Sequence, residues 1–296
     1  MGAMISLVVC TLGRKDPLRR LLVSLCKQTY RPFEIIVVDQ NGGDYLNPVL
    51  EEFPSLPIIR VRSGKGLSKG RNAGLERTCG GIIGFPDDDC WYDPHVLQSV
   101  ARFFSSRPEI DLMSGRTVDA HGHQSLNRYC SESGPITRSN VFTTGNSNTI
   151  FARRSVVAAV DGFDETLGVG ASSPFQAGEE SDFLLKCLNC GYRGYYDRDF
   201  LVRHDQIFES IDRLRAYSVG FGRVARIHNL GPSLFLVRNV RTVLGGCYRI
   251  AKGDIEGARQ RYTCFIGSMR GYAAPLRSPV KQLPAGAVMR DGTHGS

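Results

Sequence analysis

Short apolar runs alternate with amphipathic helical segments over the first hundred residues of the chain. The runs lie at residues 5–10, 34–38, 58–61 and 81–86. Between the first two, leucines at positions 18, 21, 22 and 25 fall on one face of a helix that begins near Asp16 and Pro17. Strands that are apolar on both faces are typical of a parallel sheet covered by helices. The pattern predicts an α/β domain with a doubly wound, mostly parallel sheet.

Polar side chains follow several of these predicted strands. Thr11 follows the first, Asp39 the second, and the triplet Asp87, Asp88 and Asp89 follows the fourth. Ligands of open α/β sheets bind outside the carboxyl ends of the strands. We therefore expect these side chains to line one crevice.

The second half of the chain has a looser pattern. It predicts shorter strands after residue 105, one of them at 148–151, a loop rich in Gly and Asp at 161–178, a helix at 179–190, and a strand that ends at His204. Only helical patterning follows, and the last residues are small, polar and aperiodic. We predict three parts, which are a catalytic domain at 1–205, a helical extension at 206–281 and a disordered tail at 282–296.

The positive charge of the chain is concentrated in the helical extension. The whole chain has 37 Lys and Arg against 29 Asp and Glu, a net charge of +8. Residues 206–281 alone carry a net charge of +9, and residues 1–205 carry −1. At 232–244, apolar residues and arginines occupy different sides of a predicted helix, as in interfacial helices. The pattern favours contact with an anionic membrane surface; the alternative is that these helices pack on the catalytic domain or form a dimer interface.

Other features of the chain bear on its location. No apolar stretch approaches the roughly 20 residues of a spanning helix, and charges at positions 14–16 interrupt the start before a signal-peptide core could develop. The nine cysteines are odd in number and scattered, which is typical of a reducing compartment. We expect a cytoplasmic protein that binds peripherally to the inner face of the cell membrane.

The acidic triplet is the strongest single indication of chemistry. Three adjacent carboxylates repel one another, and a bound cation would compensate their charge. Oxygen ligands favour Mg²⁺ or Mn²⁺, which can also bind substrate phosphates. The alternative is a solvated acidic turn.

Two further segments contain candidate binding or catalytic residues. Segment 64–74 is rich in Gly and carries Lys65, Lys69 and Arg71 near a helix N-terminus, where phosphates bind. Its spacing fits neither a P-loop nor a dinucleotide fingerprint, so a turn with solvated lysines is the alternative. Segment 178–182 places acidic residues in the first helical turn. They could include a general base, or could only complement the helix dipole.

Taken in order, these segments resemble the family 2 glycosyltransferases, which have the GT-A fold. The resemblance runs from Ile5 to about His204. It includes two departures, because residues 68–70 lack the usual alanine and Glu180 stands where Asp is common. The matching segments are 8–14, 28–39, 70–74, 85–89, 161–170, 178–183 and 202–204.

The resemblance implies transfer of a hexosyl group with inversion, from a nucleoside-diphosphate sugar to an acceptor hydroxyl, in one displacement. The implied catalytic residues are Glu180, Glu179 and Asp182, with the base Glu180 or Glu179. Asp89 and His204 would hold a divalent metal, Mn or Mg. The residues implied to bind the nucleotide sugar are Thr11, Gly13, Arg14, Asp39, Lys65, Arg71, Asn72, Asp87 and Asp88.

The implied partners are a nucleoside-diphosphate sugar and a saccharide or lipid-linked acceptor, in the synthesis of cell-surface polysaccharide or glycolipid. No nucleic-acid partner is expected. Two other functions compete with this one. A metal-dependent nucleotidyltransferase would also use clustered carboxylates at a sheet edge, but would be expected to have a Gly-rich phosphate loop after its first strand. A non-catalytic membrane-binding or nucleic-acid-binding module is suggested only by the basic extension.

Overall fold

The computed structural model describes residues 3–126, 128–206 and 210–276. Its strands are β1 Ile5–Thr11, β2 Phe33–Asp39, β3 Ile58–Arg62, β4 Ile82–Gly84, β5 Cys90–Trp91, β6 Leu112–Val118, β7 Gly134–Ile136, β8 Phe151–Arg153 and β9 Gly194–His204. Its helices are α1 Lys15–Cys26, α2 Asn47–Leu50, α3 Leu67–Leu75, α4 Val96–Ser106, α5 Arg154–Ala159, α6 Glu179–Asn189, α7 Ile211–Ile227, α8 Pro232–Ala251 and α9 Ile255–Ala273.

The strands form one mixed sheet in the order β3-β2-β1-β4-β8-β6-β9-β5, with β7 paired to β9. Strands β1 to β4 are parallel to one another, and β8 runs antiparallel between β4 and β6. Beyond β8, β6 and β9 are again parallel, whereas β5 and β7 are antiparallel to β9. The predicted α/β class with a mostly parallel sheet is confirmed.

The apolar core lies on both faces of the sheet. The four leucines predicted to share one face of α1 are all fully buried beneath the sheet. On the other face, Phe85 meets the rings of Phe163 and Phe183 at 5.0 and 5.8 Å between centroids. This second layer packs α6 and the loop before it against the ends of the central strands, close to the acidic triplet.

The prediction of a strand at 148–151 is wrong. Residues Ser147–Thr149 form a 3₁₀ turn instead, and β8 begins only at Phe151. Thr149 stabilises the turn, because its Oγ1 accepts a hydrogen bond from the N–H of Asn146 and donates one to the carbonyl of Asn146. Asn148, which is fully buried, accepts a hydrogen bond from the backbone N–H of Asp87 at 2.8 Å. Polar side chains that bond to nearby backbone compete with strand formation, which explains the difference.

The expected helical region after residue 206 is confirmed by α7, α8 and α9. Helices α7 and α9 pack backbone to backbone, because an added Cβ at Gly222 or Gly271 would overlap the main chain of the other helix. The ring of Phe235 on α8 stacks on Phe221 of α7 and on Tyr272 of α9, with centroids 5.9 and 4.3 Å apart. Within the described residues, no helix combines the length and apolarity needed to cross a bilayer.

Two of the cysteines, Cys187 and Cys190, are separated by two residues at the C-terminal end of α6. Both are free thiols. Cys187 is fully buried, and its burial raises the pKa of its thiol far above the ordinary value. A buried thiol that resists ionisation acts as a small apolar core residue, whereas Cys190 is exposed.

Candidate active site

The acidic triplet begins three residues after the end of β4 and lies beside the loop that follows β1. Arg14 places one guanidinium nitrogen 3.1 Å from Asp88 and 2.6 Å from Asp89. On its other side Asp89 meets His204, whose Nε2 lies 3.1 Å from Asp89 Oδ1. The predicted residues Arg14, Asp88, Asp89 and His204 are therefore brought together in one cluster.

Electrostatics distinguish the three carboxylates. Burial raises the pKa of Asp88 to about 6 and also raises that of Asp87. Asp89 is partly buried, which opposes its ionisation, but the hydrogen bond and charge of His204, together with Arg14, hold its pKa below the usual range. The same contact raises the pKa of His204 against the opposing effect of its burial. Asp89 is therefore the carboxylate of the triplet that stays ionised most readily.

Arg71 links the triplet to the acidic start of α6. Its side chain is buried, with nitrogens 3.1 Å from Asp87 Oδ1 and 3.5 Å from Glu179 Oε1. Its guanidinium also lies 5.1 Å from the ring centre of Phe163. A buried guanidinium needs such compensation, since unpaired burial of a charge costs several kcal/mol. The network places the first turn of α6 beside the triplet, although the two segments are about 90 residues apart in sequence.

The three acidic residues of α6 have different surroundings. Glu179 is paired with Arg71, whereas Glu180 forms no ion pair with any described residue. Burial, followed by the charge of Glu179, raises the pKa of Glu180 well above its usual range. Asp182 lies elsewhere, since its carboxylate is buried 2.8 Å from His228 Nε2 and 3.6 Å from Lys186 Nζ.

Asp39, at the end of β2, is fully buried, and its carboxylate is bound by ion pairs and hydrogen bonds. It forms ion pairs with Arg60 at 2.5 Å and Arg62 at 3.0 Å, and it accepts hydrogen bonds from Asn41. Although its burial opposes ionisation, the bonds from Asn41 and Arg60 lower the pKa of Asp39. The neighbouring Gly13 donates its N–H to Asn41 Oδ1 at 2.6 Å, from a backbone with φ of +73°.

The remaining predicted residues lie at the rim or behind the site. Thr11 is buried at the end of β1, opposite Asp39 in register. Lys65 is exposed on the loop before α3, beside Gly170. Asn72 is bonded to the loop after α5, because its side-chain amide donates to the carbonyl of Phe163 and accepts from the N–H of that residue, both at 2.9 Å. Its observed contacts are therefore those of a loop anchor.

Four residues of the crevice are absent from the sequence-based set. Asn41, Arg60 and Arg62 surround Asp39, and Arg20 of α1 donates to the carbonyl of Asp89 at 2.6 Å. Arg20 also pairs with Asp205 and so connects the triplet to the end of β9. Arg60 and Arg62 alternate along β3, and this pattern in the sequence indicates the residues around Asp39. Nothing local in the sequence indicates Arg20.

Comparison with known proteins identifies the family. The sequence model of the family described as glycosyl transferase family 2 matches residues 6–157, half of the chain. The chain belongs to glycosyl transferase family 2. The predicted resemblance is thus confirmed, and the crevice lies in the domain of a glycosyltransferase.

The relatives of this family 2 chain differ in sequence identity and in the length that aligns with it. The uncharacterized glycosyltransferase YwdF of Bacillus subtilis is 36% identical over 100 residues, which are 33% of this chain and 37% of that protein. A glucosyl-dolichyl phosphate glucuronosyltransferase of Haloferax volcanii is 24% identical over 220 residues, 69% of this chain and 70% of the relative.

Solved structures of glycosyltransferases share the fold of this family 2 chain. Residues 1–349 of TarS from S. aureus match with a TM-score of 0.60 at 18% identity, over 91% of this chain and 89% of TarS 1–349. The mannosyltransferase PcManGT from Pyrobaculum calidifontis, solved with GDP-Man and Mn²⁺, matches with a TM-score of 0.65 at 14% identity, over 91% and 88%. These likenesses confirm the predicted GT-A fold.

Proposed function

We propose that this glycosyltransferase transfers a hexosyl group with inversion, from a nucleoside-diphosphate sugar to an acceptor hydroxyl, with Glu180 as general base. The observation that carries the proposal is the placement of Glu180 beside the Arg71 network and the acidic triplet, with no ion pair to a described residue. A single displacement needs one base and a stabilised leaving group, and the crevice offers both.

The choice of Glu180 rests on the surroundings of its neighbours. Glu179 is held by Arg71, which makes it a counter-ion of a buried guanidinium. Asp182 is directed towards His228 and Lys186. A general base works best when its pKa is raised towards the working pH, and burial does this for Glu180. Its longer side chain extends the reach of the carboxylate by one methylene relative to the Asp common in the family.

Asp89 and His204 are the proposed ligands of a divalent cation. The described residues contain no group of three or more His, Cys, Asp and Glu side chains arranged to hold a metal. One carboxylate oxygen and one imidazole nitrogen 3.1 Å apart nevertheless suit Mn²⁺ or Mg²⁺ when substrate oxygens complete the coordination. When bound, the cation would neutralise the charge of the departing diphosphate. The structure of PcManGT in complex with GDP-Man and Mn²⁺ supports this assignment.

The remaining polar residues of the crevice are proposed to hold the donor. Arg14 and Arg71 supply positive charge beside the triplet, and Lys65 does so at the rim. The end of β2 would bind the nucleoside, through Asp39 with Thr11 and Gly13. Asp87 and Asp88 would face the ribose and sugar hydroxyls.

We further propose a saccharide or lipid-linked acceptor and a role in cell-surface polysaccharide or glycolipid synthesis. The names of two relatives support this class of acceptor. One is the glucosyl-dolichyl phosphate glucuronosyltransferase, and the other is the amylovoran biosynthesis glycosyltransferase AmsE of Erwinia amylovora, 25% identical over 198 residues.

The proposal is tested by thermal unfolding with a panel of nucleoside diphosphates, with and without Mn²⁺. One nucleoside diphosphate is expected to raise the unfolding temperature far more when Mn²⁺ is present, since a ligand that binds the native state stabilises it by mass action. Transfer from the matching labelled sugar donor should then give a glycoside of inverted anomeric configuration, measured by NMR. Retained configuration, or transfer of a nucleotidyl group, would refute the proposed reaction.

The pH dependence of turnover provides a separate prediction. Glu180 must be ionised to accept a proton, and its pKa lies well above the ordinary 4.5 of a glutamate. We expect kcat to be low at acidic pH, to rise with pH through this elevated pKa, and to level off above it. The measurement is kcat against pH at saturating donor and metal. A profile whose only acidic limb lies in the ordinary glutamate range would contradict the effect of burial.

A further inference from the structure

A cavity of about 690 Å³ lies between α7, α8, α9 and the 3₁₀ turn at Val141–Thr143. Its walls are largely apolar, with Phe142 from the turn, Phe221 from α7, and Leu234 and Val237 from α8. A space of this size is typical of ligand sites, which have apolar walls and a few polar groups. The cavity is separate from the acidic crevice, because none of the proposed donor or catalytic residues lines it.

Three arginines line this cavity, and no acidic residue does. They are Arg238 and Arg241 from α8 and Arg261 from α9. Arg238 lies flat on Phe221, with its guanidinium carbon 3.9 Å from the ring centre. None of the three forms an ion pair with a carboxylate of the described residues, whereas Arg215 on α7 and Arg259 on α9 each have one. Convergent guanidiniums without a counter-ion suit a phosphate group.

A buried hydroxyl supplies an independent observation. Ser268 of α9 lines the cavity and is 4% exposed. Its Oγ is buried and has no hydrogen-bond partner among the described residues. Buried polar groups are nearly always bonded in native proteins, so this hydroxyl in the cavity wall is a group that a polar atom of a ligand would satisfy.

The outer face of α8, next to this cavity, is apolar and exposed. Leu236, Val240, Leu244 and Tyr248 follow one another at intervals of four residues and are 46–64% exposed. Lys252 continues the same side of the helix at its C-terminal end. An apolar stripe bordered by cations, along a helix too polar to span a bilayer, is the pattern of a helix that lies in a lipid interface.

We propose that the cavity binds the phosphate head group of an anionic lipid, and that the apolar stripe of α8 lies in the lipid surface beside it. The two features share α8 and require complementary parts of one molecule, a charged head and an apolar tail. The charge distribution agrees, because the positive net charge of the chain is confined to the segment that forms these helices. The inference does not depend on the donor, the base or the metal of the proposed function.

The test is sedimentation of the full-length protein with lipid vesicles at two salt concentrations. Vesicles of equal parts phosphatidylglycerol and phosphatidylcholine are compared with vesicles of phosphatidylcholine alone. The wild type should sediment with the anionic vesicles and less so at high salt, because the attraction is screened. Arg241→Gln with Arg261→Gln should weaken this binding about 25-fold, since each arginine near an anionic surface contributes roughly a factor of five.

The matched control is Arg215→Gln with Arg259→Gln. It removes the same charge from α7 and α9 but leaves the cavity lining intact. Equal loss of binding in both double variants would show that the cavity is not the binding site. The attraction to anionic vesicles would then be nonspecific and electrostatic. For the stripe, Leu244→Ser is compared with Ile59→Ser, an exposed apolar position on β3. Only Leu244→Ser should reduce sedimentation.

Two further measurements distinguish other occupants. If inorganic phosphate raises the unfolding temperature but the protein binds neither kind of vesicle, the cavity binds free phosphate and the lipid assignment is wrong. If light scattering shows a dimer that Leu244→Ser dissociates, and no vesicle binding occurs, the stripe is an interface between two copies of the chain. Unchanged thermal unfolding and donor binding in each variant verify that the variants are folded.

Discussion

Asp89→Asn is expected to reduce sugar transfer by roughly 10³-fold, the loss typical when one group that stabilises developing charge is removed. Asp89 contacts both His204 and Arg14, and it is the carboxylate of the triplet whose pKa is lowered. Its replacement would remove the charged ligand of the proposed metal while keeping the volume of the side chain. The Mn²⁺-dependent rise in unfolding temperature with nucleoside diphosphate should disappear as well.

A matched control for this variant is Asp199→Asn. Asp199 is exposed on β9 and lies outside the crevice, so loss of its charge should leave transfer unchanged. Full Mn²⁺-dependent transfer by the Asp89 variant would contradict its assignment as a metal ligand. Loss of the metal effect in the Asp199 variant would instead indicate that net charge alone controls donor binding.

Glu180→Gln is expected to reduce kcat by roughly 10²–10⁴-fold, the usual contribution of a general base. The amide has nearly the volume of the carboxylate but cannot accept the proton of the acceptor hydroxyl. Donor affinity should be kept, because Glu180 forms no ion pair with the described donor-side residues. Single-turnover rates and donor titrations measure the two effects separately.

The neighbouring residue supplies the comparison. Glu179→Gln removes one of the two carboxylates that compensate the buried Arg71, so it should lower the unfolding temperature more than Glu180→Gln does. If Glu179→Gln instead lowered kcat without loss of stability, and Glu180→Gln did not, the base would be Glu179.

Local patterns were sufficient for the parallel half of the sheet. Strands such as β1 and β2 are apolar along their whole length, so their residues alone indicate a buried parallel strand. The polar turn before β8 is not predictable in the same way, because one of the bonds that hold it joins Asn148 to the backbone of Asp87, 61 residues earlier.

The same limit applies to the site. Motif order indicated the triplet, Arg71 and the start of α6, since each follows a recognisable strand or opens a helix. It could not separate the roles of three carboxylates within four residues of α6, because these depend on distant partners. Arg71 lies 108 residues before Glu179, and His228 lies 46 residues after Asp182. Tertiary contacts thus determine which of the three carboxylates is not bound by another side chain.

The bond between His228 and Asp182 limits where the chain can be truncated. The change in charge falls near residue 205, but α6 is held from beyond that point, by His228 and by the close packing of Gly178 on Gly220. A chain shortened to the near-neutral part would retain every proposed catalytic side chain, yet Asp182 would lose its histidine partner. The basic helices therefore help to hold α6, the helix that carries Glu180, and a truncation near residue 205 is expected to lower the stability of that helix.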